Sequence, residues 1–183
     1  MGKGIAEELQ REFPLEVRWV GYELHPETPR EGVPLGRLIP GLDPDAMVKS
    51  LERSGSPYGV RFNKISIVSN SRLALEASEF ARDCGKFDLM HSLFFEAYFL
   101  EGKNIGDLRT VLEVSARAGL DVGLLEEALE TGRYSERLAE ARRLAGRYGV
   151  TGLPTYIING SIKIVGAQPY KTFSSALRNA LKQ

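Results

Sequence analysis

From residue 70 to residue 148 the hydrophobic period is helical throughout, whereas the segments on either side carry strand patterns. Leu73, Ala77, Phe80 and Cys84 form one stripe, and Phe87, Met90, Phe94 and Tyr98 a second. Ile105, Leu108, Leu112 and Ser115 continue it, followed by Leu124, Leu125, Ala128 and Leu129, then Leu138, Ala141, Ala145 and Tyr148. Apolar residues three and four apart share one helix face. Breaks fall at Gly85, Gly102, Gly119 and Gly132, with Asn104, Asp121 and the pair Asn70-Ser71 as caps. No shared motif or equal period makes these blocks repeats. About 80 residues suffice for a unit with its own core. The chain therefore reads as α/β, with a helical subdomain at 70–148 inserted into a unit built from 1–69 and 149–183.

Before the insert, Ile5, Leu9 and Phe13 mark a helix over residues 4–13 that Pro14 stops. Residues 15–24 follow as a strand. Leu15, Val17 and Trp19 alternate, then Val20, Tyr22 and Leu24 continue in the opposite phase, which suits a strand buried on both faces. Residues 25–41 hold four prolines and three glycines, the composition of a long loop. Asp43-Pro44 then starts a helix to about Ser54. After the insert, residues 155–158 and 161–165 flank Asn159-Gly160, a strong hairpin signal. Gln168-Pro169 opens a last helix with Phe173, Leu177 and Leu181 on one face.

Composition narrows the function. The 183 residues carry 24 basic and 24 acidic side chains and no basic cluster, which argues against nucleic acid or an anionic membrane surface as partner. No apolar run approaches a membrane span of about 20 residues, and no export signal opens the chain, so the expected location is cytoplasmic. The single cysteine, Cys84, excludes an internal disulfide and a multi-cysteine metal site. With two histidines, no metal is expected.

The string Gly149-Val150-Thr151-Gly152-Leu153-Pro154-Thr155-Tyr156, before a hairpin and a final helix, resembles the cis-proline segment of thioredoxin-fold proteins. With Gly166-Ala167-Gln168-Pro169, Glu23-Leu24-His25-Pro26 and the block Phe94 to Leu100, the chain resembles the FrnE-type branch of the DsbA-like family. Relatives of that branch are 2-hydroxychromene-2-carboxylate isomerases and kappa-class glutathione transferases. The likeness covers about Gly2 to Leu181.

The resemblance implies a thioredoxin-like fold and thiol–disulfide exchange with a peptide or small-thiol substrate. Thr151, Gly152, Leu153 and Pro154 would bind it, the cis bond turning the Leu153 backbone toward an extended chain or glutathione. His25, at the end of the first strand pattern, would be a substrate contact or proton shuttle, against the plainer reading of a solvated loop histidine. The family's Cys-x-x-Cys follows its first strand and precedes a helix start, where the dipole favours the thiolate. Gly2-Lys3 resembles the residues just downstream of that pair. The chain is thus expected to lack the first strand and the dithiol, to be a truncated version of a longer protein, and to be inactive in exchange. No cofactor is required, with glutathione as the alternative ligand if the chain works like the isomerases and transferases. A non-catalytic, peptide-binding module is a third reading.

Removing a central strand leaves its neighbours almost 10 Å apart, with unpaired groups costing about 1–3 kcal/mol each. The segment Val60 to Val68, or a strand from a second copy of the chain in a homodimer, is expected to fill the slot. Cys84 lies on an apolar stripe and reads as a small buried hydrophobe. His91 reads as structural, Glu126-Glu127 and Arg142-Arg143 as solvated helix faces, and the Phe94-Phe95, Tyr98-Phe99 cluster as core.

Overall fold

The computed structural model describes residues 1–38, 40–63 and 65–181. In chain order the elements are α1 (Gly2–Glu12), β1 (Val33–Pro34), α2 (Leu35–Leu38), α3 (Pro44–Gly55), a 3-10 turn (Ser56–Tyr58) and β2 (Ile67–Val68). Then come α4 (Arg72–Asp83), α5 (Phe87–Phe99), α6 (Leu108–Arg117), α7 (Val122–Glu130) and α8 (Ser135–Arg147). The chain closes with β3 (Thr155–Ile158), β4 (Ile162–Val165) and α9 (Tyr170–Ala180).

The spacing of Ile5, Leu9 and Phe13 gives α1 one apolar face, and Phe13 leaves the helix in an extended conformation just before Pro14. That face packs on Ile164 of β4 and on Phe173 and Leu177 of α9. Each such side chain contributes about 1.5–3 kcal/mol when fully buried. Leu181, expected on the same face of α9, lies past its end and is exposed. β3 and β4 pair antiparallel from Thr155 opposite Val165 to Ile158 opposite Ile162. Asn159 and Gly160 both have positive φ (48° and 69°), the conformation that a primed hairpin turn requires. Ser161 N–H closes the turn on Ile158 O at 3.1 Å.

A second apolar cluster lies within the helical block. Leu73, Ala77 and Phe80 of α4 meet Met90 and Phe94 of α5, Val111 and Val114 of α6, and Leu125 and Ala128 of α7. The four predicted glycine breaks all have positive φ, between 64° and 68°. Asp121 caps α7 by accepting from Leu124 N–H, and Asp43 caps α3 by accepting from Asp45 and Ala46 N–H. Asn104 is not a cap. It accepts from Gly106 N–H in a turn, and Asp107, one step farther on, accepts from Thr110 N–H and starts α6. Cys84 is not buried either: α4 stops at Asp83, and Gly85 turns the chain at φ 68°, leaving the thiol exposed at the helix end.

The predicted strand over residues 15–24 has extended character without a ladder. Leu15, Val17 and Trp19 are half-buried while Glu16, Arg18 and Val20 are exposed, so only one face is covered. Among the described residues no strand pairs with it, the two ladders being β1–β2 and β3–β4. Helices hold it instead. Arg82 of α4 donates to Trp19 O at 3.0 Å, Gly21 passes so close to Leu75 that a Cβ would lie 2.9 Å from its Cδ2, and Glu23 pairs with α4 and α8. The Val60–Val68 segment does not fill a slot beside the hairpin. Its last two residues pair with Val33 and Pro34, and Lys64 lies outside the described residues.

Candidate functional site

Residues 151–154 leave α8 and lead into β3. The Leu153–Pro154 peptide bond is cis. Pro154 O accepts from Gly166 N–H at 2.7 Å, and Thr155 Oγ1 donates to Gly152 O at 2.6 Å, so both sides of the turn are fixed. Lys163 of β4 donates to Tyr148 O and Gly149 O, fastening the end of α8 just upstream. Leu153 itself is 50 % exposed. Among the described residues, neither its N–H nor its C=O takes a hydrogen bond.

The start of α1 faces this turn. A Cβ on Gly2 would lie 3.2 Å from Pro154 Cβ and 3.2 Å from Tyr156 Oη, so only glycine allows the approach without a shift. Tyr156 Oη donates to Gly2 O at 3.4 Å, and burial pushes its pKa up to about 12, keeping the proton in place. Met1 caps α1 without a side-chain hydrogen bond, so the helix presents free N–H groups and the positive end of its dipole.

Lys3 connects α1 to α5 by donating to Ser92 Oγ, which in turn donates to Asp88 O. Beside that contact, the His91 ring lies between Trp19, Phe87 and Phe95, with centroids 5.0, 5.6 and 4.7 Å away. Its Nδ1 is buried without a partner. Burial among these rings, then the Lys3 ammonium, pulls the imidazole down to about 4, so it is neutral near pH 7. Phe95 is half exposed and stacks on Phe99, extending the aromatic row.

Of the expected substrate-binding residues, Pro154 stands against the start of α1, while Thr151, Gly152 and Leu153 precede it in the same turn, Thr151 being exposed. His25 lies in the loop after the extended segment, where its Nδ1 is 3.2 Å from Glu27 Oε1. No hydrogen bond, ion pair or ring contact among the described residues joins it to the 151–154 turn. The aromatic cluster divides: Phe94 is core, and Phe95 is surface. His91, read as structural, is enclosed by rings as that reading requires, and Lys3 and Ser92 add a contact between α1 and α5 that the sequence pattern does not convey. The usable signal for the rings was Phe87, His91, Phe95 and Phe99, aromatic rings four residues apart on one side of α5. Among the described residues no cluster of His, Cys, Asp and Glu could hold a metal, and no helix is long and apolar enough to cross a membrane.

Residues 2–178 match the DSBA-like thioredoxin domain. The chain belongs to the DsbA-like thioredoxin family. The Bacillus subtilis protein YwbO, itself uncharacterized, is 29 % identical over 189 residues, covering all of this chain and 91 % of its own. The fold is similar to that of a probable DsbA oxidoreductase from Streptomyces coelicolor, with TM-score 0.88 and 23 % identity over all of this chain and 84 % of that one. It is also similar to a 2-hydroxychromene-2-carboxylate isomerase, with TM-score 0.71 and 20 % identity over 98 % of this chain and 88 % of that one. At these identities the two structures speak for the DsbA-like fold alone.

Proposed function

We propose that the turn at 151–154 is the docking edge of a thiol–disulfide exchange protein, and that a polypeptide or small thiol lies extended along Leu153. The observation that carries this reading is the free N–H and C=O of the half-exposed Leu153, presented beside the start of α1. An extended chain pairs with such a backbone as an added strand would. The uncapped helix start opposite favours a thiolate or carboxylate. Family membership and the oxidoreductase fold neighbour support the same assignment.

Exchange proceeds by attack of a thiolate on a disulfide sulfur, formation of a mixed disulfide, and departure of the other sulfur as thiolate. Release by an internal partner needs a second thiol. This sequence has only Cys84, exposed at the end of α4, so a mixed disulfide could be resolved only by a thiol from solution, and these 183 residues are read as binding substrate without completing exchange internally.

Fluorescence anisotropy with a labelled, reduced and unfolded polypeptide tests the docking edge. Binding is expected, and Leu153→Asp is expected to weaken it by about tenfold, or about 1.4 kcal/mol. Scrambled-disulfide substrates are expected to reshuffle no faster than with free thiol alone. Loss of no affinity in Leu153→Asp, or reshuffling well above that background, contradicts the proposal. Tight glutathione binding with no affinity for polypeptide favours the isomerase and transferase chemistry instead.

A further inference from the structure

A charged cleft lies between α4 and α8, lined by residues that the docking edge does not use. It consists of two neighbouring cavities, of about 140 and 290 Å³, that share Arg72 and Ser135. The larger is lined by Glu23, Arg72, Ser135, Leu138, Arg142 and Arg143. Glu23 and Glu76 are almost wholly buried, with side chains only 6 % and 4 % exposed. Buried carboxylates are costly unless paired, so their placement on a cavity wall calls for an explanation.

Their pairing is incomplete. Arg72 contacts both, with Nε 3.2 Å from Glu76 Oε1 and Nη1 3.6 Å from Glu23 Oε2. Arg142 Nη2 donates to the same Glu23 Oε2 at 3.1 Å, and Ser135 Oγ donates to Glu76 Oε1. Glu23 Oε1 has no hydrogen-bond partner among the described residues. Arg143, also in the lining, pairs among the described residues with the exposed Glu136 and, at 4.0 Å, with Glu140. The larger cavity thus offers a carboxylate oxygen open to its interior, guanidinium groups with donors to spare, and the apolar side chains of Leu138 and Ala139 in its lining.

We propose that this cavity binds a small zwitterion, a free α-amino acid with an apolar side chain. Its ammonium would meet Glu23, its carboxylate Arg143 and Arg142, and its side chain Leu138 and Ala139. A lone anion would meet Glu23 at close range, and a lone cation would meet the arginines, so a ligand bearing both charges suits the lining best. The volume falls just under the roughly 300–1,000 Å³ of pockets for drug-sized molecules, which favours a ligand of amino-acid size.

The test is a titration of the isotope-labelled protein with L-leucine, sodium acetate and methylammonium chloride, followed by amide shifts. L-leucine is expected to give saturable shifts at Glu23, Arg72 and residues 138–143, with a Kd of about 1 mM or tighter. Acetate and methylammonium, each carrying half the charge pattern, are expected to bind at least about tenfold more weakly. Arg143→Ala, a change at a side chain 60 % exposed, should keep the fold and lose about tenfold in affinity for L-leucine. Glu23→Gln should weaken it similarly. No saturable shift by about 20 mM, acetate binding as tightly as L-leucine, or an unchanged affinity in Arg143→Ala each overturns the proposal.

Discussion

His91 shows how one side chain couples stability to pH. Its ring is enclosed by Trp19, Phe87 and Phe95, and the Lys3 ammonium stands near. Both disfavour the imidazolium and lower the pKa from its ordinary 6.5 to about 4. Between these values the unfolded chain holds more protons than the folded one, so stability rises with pH across the window and is lost as pH falls from about 6.5 to about 4. The linkage is worth at most about 3 kcal/mol, and about 1–2 once the solvent still reaching the ring is counted. His91→Phe keeps the aromatic row and removes the titration. Its melting temperature should therefore fall less than that of the parent between pH 6.5 and pH 4, and equal slopes would contradict this. The titration was hard to foresee from sequence because it depends on Trp19 and Lys3, which lie far along the chain from His91. Cys84 misled for a different reason: its spacing matched the stripe, but the helix ended one residue before it.

Among the elements, those specified by neighbouring residues were legible and those requiring a distant partner were not. The stripes of α4, α5, α7 and α8, the Asp43 and Asp121 caps and the Asn159-Gly160 turn all use information within a few residues. Residues 15–24 show the period of two clearly, yet a ladder depends on a second strand that periodicity cannot supply. In the structure their backbone is held by Arg82 and Glu23 side-chain contacts rather than by strand pairing. Hydrogen exchange should separate the two cases. Amides of residues 15–24 are expected to exchange orders of magnitude faster than those of β3 and β4, whose N–H groups lie in a paired ladder. Equal protection in the two segments would mean that residues 15–24 have found a strand partner in solution.

Across the whole molecule, Arg72 ties the extended segment to the helical block. Two hydrophobic clusters, one around α1, the hairpin and α9 and one among α4 to α7, contain most of the apolar interior. Residues 15–24 run between them, from Leu15 against the first to Glu23 over α4 and α8. Arg142 was expected on a solvated face. It lies across the cleft from Glu23, a distance of 119 residues along the chain that no local pattern conveys. The two arginines differ in what they leave behind. Arg142→Ala leaves Glu23 with Arg72, whereas Arg72→Ala leaves Glu76 with only the Ser135 hydroxyl and Glu23 with only Arg142. Breaking a buried ion pair costs about 3–5 kcal/mol when the remaining charge cannot reach water. Both guanidinium groups are roughly half exposed and rehydrate readily, whereas the two carboxylates, only 6 % and 4 % exposed, reach water only through the cleft. Arg72→Ala should therefore destabilise by about 2–4 kcal/mol and Arg142→Ala by about 1, measured by urea unfolding. A larger loss in Arg142→Ala would show that Glu23, rather than the Glu23–Arg72–Glu76 bridge, fastens the segment to the helices.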